Sequence, residues 1–264
     1  PLRKYIFWIF LFGLVVGLIS APEPDRTRTR LADGFDQPVG KPDADGYYRA
    51  RGFRANYHMG DDWNGVEGGN SDIGKPVYSA ANGVVVMARD MRMGWGNLVI
   101  IRHPYLENQK MQVVDSVYAH LDKILVKENQ QVVRGQQVGT IGTNRGMYPA
   151  HLHFEIRKNL SIGFNQRGFR RDTTNYYSPI AFIKAHRKLS GGGRSALVPI
   201  NTFAMGGKGK SPVDESEFQK NKDGTEKSDS NLRKTLPPEE VTGAAELPLI
   251  VANNGAKVFV PSYT

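Results

Sequence analysis

The sequence predicts a mainly β domain, built on an antiparallel β-sheet of barrel or sandwich type and followed by one C-terminal helix. The first observation is a series of short β-rich runs separated by Gly and Asn residues, which is typical of strands joined by tight turns. The second is that no long segment with a 3.6-residue apolar period separates these runs, which argues against βαβ units. The predicted strands cover residues 76–80, 83–88, 97–102, 112–120, 130–133, 137–141 and 151–157.

One helix is predicted after the last strand. Ser178 supplies an N-cap, and Pro179 fits the first helical turn, where its missing N–H is not needed. The Ser-Gly-Gly-Gly run at 190–193 is expected to end the helix. One apolar face can pack on the sheet, and it consists of Ile180, Phe182, Ile183 and Leu189.

Residues 1–21 predict a signal peptide or a membrane anchor. Arg3 and Lys4 precede an apolar run at 5–19, which has the length of a signal-peptide core and falls short of the roughly 20 residues that span a bilayer. A cut after Ala21 would leave a proline at the new terminus, so cleavage and retention as an anchor both stay open. Either outcome predicts an exported protein, periplasmic or in the cell envelope, secreted or anchored.

Three further regions are predicted. Residues 22–56 are rich in Arg, Asp, Gly and Pro, and we expect an irregular lead-in. The strands and the helix fall within 57–190, which is the predicted domain. Residues 191–264 form a low-complexity tail whose segment 205–245 has the composition of disordered chain. Apolar runs around an Asn-Gly pair predict a terminal hairpin at 247–260.

The composition limits the chemistry. The formal net charge is +9, and its surplus lies in residues 22–200, which favours polyanions such as nucleic acid, anionic lipid or an acidic cell-wall polymer. Nucleic acid is not the expected partner, because no basic run is interleaved with aromatic residues. With no cysteine, disulfides, thiolate metal sites and a cysteine nucleophile are excluded. Any metal must therefore be held by His and carboxylate groups.

Two short segments carry residues of metal-ligand type. His58 is followed four residues later by Asp62, in a glycine-flanked stretch that predicts a tight loop. His151 and His153 are one residue apart on a predicted strand, so both imidazoles face the same side. With one imidazole of that pair, the segments supply two nitrogens and one oxygen, and three protein ligands with a fourth position left to water form the pattern of a catalytic zinc site. The alternative is that Asp61 and Asp62 cap a turn and His58 is a surface residue.

The remaining histidines carry less information by themselves. His120 comes at the end of an apolar strand in the run Tyr118-Ala-His120-Leu, where a packed or solvated imidazole is the ordinary expectation. His103 and His186 have no companion at ligand spacing, and we predict structural roles for both.

From residue 57 to residue 158 the chain resembles the lysostaphin/LytM-type zinc metalloendopeptidases, which cut peptide cross-links in bacterial cell walls. The match rests on His58-x-Gly-x-Asp62, on Tyr118-Ala-His120-Leu and on His151-Leu-His153-Phe-Glu. Further matching stretches occur in the family's order at 74–80, 82–86, 94–101 and 133–139.

The resemblance implies a role for each motif residue. His58, Asp62 and His153 would bind zinc, while His120 and His151 would stay off the metal and act on the substrate. The expected activity is that of a zinc-dependent endopeptidase, which hydrolyses peptide bonds in peptidoglycan stem peptides or cross-bridges with metal-activated water.

Three points stay open at this stage. Asp61 is a rival to Asp62, although the Gly in the middle of the motif selects Asp62. The order of duties between His120 and His151 is not assigned. The alternative function is a non-catalytic, zinc-containing cell-wall-binding or regulatory module. For either function, membrane anchoring through residues 5–19 stays open beside cleavage of that segment.

Overall fold

The structure, a computed structural model, describes residues 25–203 and contains twelve strands and one short helix within that range. An irregular turn of π type lies at Gly40–Ala44. The helix α1 covers Pro179–Ala185. The strands are β1 Arg26–Arg30, β2 Tyr47–Arg51, β3 Asp61–Gly65, β4 Pro76–Tyr78, β5 Gly83–Asp90, β6 Asn97–Glu107, β7 Lys110–Ile124, β8 Gln131–Val132, β9 Gln137–Ile141, β10 Leu152–Arg157, β11 Tyr176–Tyr177 and β12 Ser195–Pro199.

Ten of these strands form one antiparallel sheet. Its order is β2-β3-β10-β7-β6-β5-β8, with β11 on β10, and β9 between β7 and β4. Among residues 25–203 the sheet runs from β2 to β8 without closing on itself, so the predicted antiparallel β class is confirmed and the architecture is an open sheet, not a closed barrel. β1 and β12 form a separate two-stranded sheet.

The long hairpin of β6 and β7 is the centre of the sheet. Its turn residues Asn108 and Gln109 have φ angles of 50° and 62°, which is the left-handed pair of a tight hairpin turn. Alternate residues of β6 enter two different cores: Val99 and Ile101 pack on one face, while Leu98 and Ile100 pack on the other. Both faces of this hairpin are therefore buried, which makes it a rigid support for the strands beside it.

A buried ion pair joins the two strands of this hairpin. The guanidinium of Arg102 donates to both carboxylate oxygens of Asp115, at 2.7 Å each, from the directly opposite position on the neighbouring strand. Arg102 also donates to the carbonyl of Pro199, at the end of β12. The same side chain therefore links the small sheet to the large one.

The helix is shorter than predicted. It ends at Ala185, where we expected it to continue to residue 190. Arg187 instead turns back to the carboxylates of Asp36 and Asp43, at 2.7 and 2.6 Å, and Leu189 packs against the main core from outside the helix. Ion pairs with a distant segment thus override the local helical pattern.

Two of the ranges predicted to lack regular structure contain strands. β1 and β2 lie in the predicted lead-in 22–56, and β12 lies in the predicted tail 191–264. The lead-in prediction was wrong because β1 pairs with β12, far away in the chain, and such a partner leaves no local pattern.

Residues 1–21, the segment 205–245 and the hairpin at 247–260 lie outside the described residues. Within 25–203 no helix has both the length and the apolar character needed to cross a membrane.

The imidazole of His103 is buried in a polar network, in agreement with its predicted structural role. Its Nδ1 donates to the carbonyl of Asn82 at 2.9 Å, and its Nε2 lies 2.7 Å from the hydroxyl of Ser116. That hydroxyl lies 3.0 Å from the phenol of Tyr118, which accepts from the backbone N–H of Ala80. Burial lowers the pKa of His103 to about 4.

This low pKa predicts a pH-dependent stability. Between about pH 6.5 and pH 4 the unfolded chain binds a proton at His103 and the folded protein does not, so the free energy of unfolding should fall by roughly 3 kcal/mol as the pH drops through this window. Above about pH 6.5 the imidazole is neutral in both states and contributes no slope. Urea unfolding of the wild type and of His103→Gln across this range measures the difference. An identical slope in the variant would contradict the prediction.

Candidate metal centre and active site

Three side chains of metal-ligand type meet on one face of the sheet. Asp62 lies on β3, which is a strand where the sequence predicted a tight loop, and His153 lies directly opposite it on β10. His58 comes from the turn just before β3. The Oδ1 atom of Asp62 is 3.0 Å from Nε2 of His58 and 2.8 Å from Nδ1 of His153, and the two nitrogens are 3.1 Å apart.

The outer contacts of both imidazoles determine which nitrogen faces the site. Nδ1 of His58 donates to the carbonyl of Gly52 at 3.1 Å, and Nε2 of His153 donates to Oε1 of Glu155 at 2.9 Å. Carbonyl and carboxylate oxygens only accept, so each neutral imidazole carries its hydrogen on the outer nitrogen. Two nitrogen lone pairs and a carboxylate oxygen therefore converge, which is a donor set that fits a divalent cation such as zinc.

The charges around this point require a positive group. Burial opposes protonation of His153, but the carboxylates of Asp62 and Glu155 outweigh it and raise the pKa of His153 to about 9. Burial likewise raises the pKa of Asp62, yet its close contacts with the imidazoles of His153 and His58 bring that pKa far below its ordinary value. Without a metal, a proton on His153 thus meets the same electrostatic demand that a cation would meet.

Asp61 faces away from this cluster, because successive residues of a strand point to opposite faces. Its buried carboxylate accepts the backbone N–H of Phe53 at 2.9 Å and that of Ile180 at 3.1 Å, and it lies 3.6 Å from the guanidinium of Arg49. Asp61 therefore ties β3 to the first turn of the helix. Of the two rival carboxylates, only Asp62 lies with the histidines.

His120 and His151 lie beside the group formed by His58, Asp62 and His153 but do not belong to it. Their ring centroids are 4.8 Å apart, and that of His120 is 5.7 Å from the ring of His153. Nδ1 of His151 donates to the carbonyl of Pro149 at 2.8 Å, while its Nε2 is 4.0 Å from Oδ1 of Asp62. The structure thus brings all five residues of the three motifs together.

The backbone at His120 has a conformation that a non-glycine residue seldom adopts. Its φ angle is 63°, and its N–H donates to the carbonyl of Trp95 at 3.0 Å. The side chain is buried, and its Nδ1 has no hydrogen-bond partner among the described residues. Burial, followed by repulsion from His153 and His151, lowers the pKa of His120 to about 3, so this imidazole is neutral near neutral pH.

The backbone just before His151 is held by two amide side chains. Oδ1 of Asn70 accepts the N–H of Ala150 at 2.8 Å, and Nδ2 of Asn64 donates to the carbonyl of the same residue at 3.0 Å. Asn70 belongs to a loop that lies outside the quoted motifs. Both backbone groups of Ala150 are thus held, one residue before His151 and two before the start of β10.

The sequence reasoning missed two aromatic residues that flank the histidines. The ring of Tyr148 lies 4.9 Å from that of His120 and 5.9 Å from that of His151, and the indole of Trp95 lies 6.0 Å from the ring of His153. Trp95 lies in the matching stretch 94–101, but that stretch assigned it no role. Tyr148 lies three residues before His151, outside every motif of the resemblance.

The other two histidines lie in structural contacts away from the cluster. His103 belongs to the polar network under β5 and β6. His186 stacks on Phe182 with ring centroids 4.1 Å apart, and its Nε2 lies 2.9 Å from a carboxylate oxygen of Glu107.

The fold and the cluster on its sheet define a β protein with a candidate metal centre. Residues 61–164 match Peptidase family M23. Over 86 residues the chain is 42% identical to Lipoprotein NlpD of Yersinia enterocolitica, an alignment that covers 32% of this chain and 78% of that protein. The chain belongs to peptidase family M23, and the predicted resemblance is confirmed at this level.

Longer relatives share the same region. The chain is 41% identical over 99 residues to Murein hydrolase activator NlpD of Escherichia coli K12, covering 34% of this chain and 24% of that protein. It is 44% identical over 84 residues to Peptidoglycan DD-endopeptidase ShyA of Vibrio cholerae, covering 32% of this chain and 18% of that protein. The solved structure of the antimicrobial peptidase lysostaphin from Staphylococcus simulans is 28% identical, covers 55% of this chain and 51% of that one, and has a TM-score of 0.37.

The contacts of Asp61 predict a structural effect for this carboxylate. Asp61→Ala leaves two partly buried N–H groups without their acceptor, and each should cost about 1 kcal/mol of unfolding free energy, the lower end of the range for a fully buried group. Urea unfolding in the presence of a chelator measures this loss without any contribution from bound metal. The matched control is Glu67→Ala, which removes an exposed carboxylate from the loop after β3 and should change stability little. Equal stability of the two variants would refute the anchoring role of Asp61.

Proposed function

We propose that this protein is a zinc-dependent endopeptidase that hydrolyses peptide bonds in peptidoglycan stem peptides or cross-bridges. The observation that carries the proposal is the convergence of two imidazole lone pairs and one carboxylate oxygen, with two further imidazoles beside them. Membership of the peptidase family supports hydrolysis, and the likeness to a protein named peptidoglycan DD-endopeptidase supports the substrate class.

In this proposal His58, Asp62 and His153 hold the zinc ion. When bound by these three residues, zinc would supply Lewis acidity and would lower the pKa of water enough for attack on an amide near neutral pH. The outer hydrogen bonds to Gly52 and Glu155 keep the two imidazoles in the tautomers that this role requires.

The two remaining histidines receive different duties. His151 is the proposed general base, because the Pro149 carbonyl fixes its hydrogen on Nδ1 and leaves a lone pair on Nε2, near Asp62. His120 is proposed to donate a hydrogen bond from Nε2 to the oxyanion that develops on the substrate, because its Nδ1 is buried without a partner and an N–H there would be the more costly choice. Tyr148 packs on both rings and would hold them in place.

The proposed setting is the cell envelope. Relatives of this chain are named as lipoproteins, and the apolar run at 5–19 suits export with either cleavage or anchoring. The basic surplus of residues 22–200 suits a substrate polymer that carries carboxylates.

A second candidate is a non-catalytic cell-wall-binding or regulatory module, and the likeness to a murein hydrolase activator favours it. This candidate gives no reason for His120 and His151 to stand beside the three proposed ligands. Because all five residues are present and adjacent, hydrolysis is the better-supported function.

Hydrolysis of purified peptidoglycan tests the choice. We expect the protein to release new amino termini, to lose activity on chelation and to regain it when zinc is added. Mass spectrometry of the released fragments identifies the bond that is cut. Metal binding and wall binding with no cleavage under any condition would favour the regulatory module.

Single substitutions separate the proposed roles. His153→Ala should lose both zinc and activity, while His120→Ala and His151→Ala should keep zinc and lose turnover by at least about 10²-fold. Zinc content by atomic emission and the rate of peptide release are the two measurements. His186→Gln, which changes a histidine outside the cluster, is the control and should change neither. Equal loss of zinc in His120→Ala and His153→Ala would contradict this division of roles.

A further inference from the structure

Four alternate residues of the His153 strand form a polar row on one face of the sheet. His151, His153, Glu155 and Arg157 follow one another at the two-residue period of a strand. Within this row Glu155 accepts from Nε2 of His153 with Oε1, at 2.9 Å, and from Nε of Arg157 with Oε2, at 2.5 Å. The side chains of Glu155 and Arg157 are each only 1% exposed.

From this row we infer that Glu155 is a positioning residue that fixes the tautomer and ring orientation of His153. The inference rests on the proposed function and deepens it, because it names the group that keeps the Nδ1 lone pair of His153 directed at the metal centre. Nothing in the motif assignment gave Glu155 a role.

The carboxylate of Glu155 is held in one orientation by several donors. Oε1 also accepts from Nε2 of Gln166 at 3.2 Å, so both oxygens are held by donors. Arg157 is fixed in turn by a hydrogen bond to the carbonyl of Gly163 and by the ring of Trp95, 5.6 Å from its guanidinium carbon. A carboxylate clamped at both oxygens gives the imidazole a single direction in which to donate.

The loop that carries His58 closes directly over this pair. A Cβ atom added at Gly60 would lie 2.9 Å from Cγ of Glu155 and 3.0 Å from Cε1 of His153. The backbone at Gly60 thus packs on both side chains at once. The glycine of the His58-x-Gly-x-Asp62 motif is explained first by the backbone carbonyl oxygen of Phe154, 2.3 Å from such a Cβ atom, and then by the side chains of Glu155 and His153.

A second buried pair in the same sheet provides a matched control. Asp115 accepts from Arg102 at 2.7 Å through both oxygens, and these side chains are 2% and 0% exposed. Asp115 contacts none of the five motif residues in any hydrogen bond or ion pair recorded for residues 25–203. Asp115 lies directly opposite Arg157 in the β7–β10 pairing but is hydrogen-bonded to Arg102, so Asp115→Asn makes the same carboxylate-to-amide change beside a buried arginine without altering a contact of the five motif residues.

The test measures zinc affinity by competition with a chromophoric chelator, and the visible spectrum of the cobalt(II)-loaded protein reports ligand geometry. An amide offers one acceptor where His153 and Arg157 need two, so Glu155→Gln should weaken zinc binding by about tenfold, and Glu155→Ala by about 10- to 100-fold. Both should alter the cobalt spectrum.

The zinc affinity of the control, Asp115→Asn, should stay within about threefold of the wild-type affinity. Circular dichroism confirms which variants are folded, and Glu155→Gln, which is nearly isosteric, decides if Glu155→Ala does not fold.

Two outcomes would overturn the inference. One is a folded Glu155→Gln with the zinc affinity and cobalt spectrum of the wild type. The other is an Asp115→Asn variant that loses as much zinc affinity as Glu155→Gln, since the loss would then come from general destabilisation. Failure of the proposed function is a different result: the wild type would bind zinc, Glu155→Gln would bind it less tightly, and neither would cleave peptidoglycan.

Discussion

The pairing of β3 with β10 is the constraint on which the site depends. Antiparallel register places Asp62 opposite His153, and the β-strand period then places His151 and Glu155 on the same face of the same strand. A slip of β3 by one residue would place Asp61 instead of Asp62 opposite His153. The register is held from both sides, because β10 pairs with β7 and Asp61 is fixed to the backbone of Phe53 and Ile180.

Several charged side chains lie close together beside the β3–β10 pair. Asp62 and Glu155 are two carboxylates within reach of one buried imidazole, and their charge is balanced by His153 and by Arg157. Burying such groups is unfavourable unless every member is paired. Arg157 balances the charge of Glu155. If His153 is neutral, the charge of Asp62 is left unbalanced at a single point, between His58, Asp62 and His153. Structure and charge therefore specify the same position for a cation.

The sequence predicted the residues of the candidate site more completely than the fold. Spacing suggested His58, Asp62 and one histidine of the His151/His153 pair as candidate ligands, because such residues lie close in the chain or on one strand face, and the family resemblance then selected among the alternatives. The position of Glu155 beside His153 could have been predicted from the same two-residue period, since it follows His153 at the next position on that face. Tyr148 and the amide clamp of Asn64 and Asn70 could not, because their neighbours come from separate loops.

Two departures from the predicted fold, the β1–β12 sheet and the early end of the helix, share one physical cause. β1 and β12 are short, and each is stabilised by the other strand rather than by an apolar pattern of its own. The helix ended early because Arg187 reaches Asp36 and Asp43. In each case a contact between distant segments outweighed the local preference. Patterns in a single sequence do not contain such contacts.

The pairing of β1 with β12 also brings the two ends of the described region together. The N–H of Ile200 donates to the carbonyl of Asp25 at 2.6 Å, so the chain enters and leaves the folded unit at neighbouring points. A unit with adjacent ends can be inserted into a longer polypeptide, or carry extensions on either side, without straining its interior. Such a modular build suits a domain whose homologous region makes up about a quarter of the murein hydrolase activator it resembles.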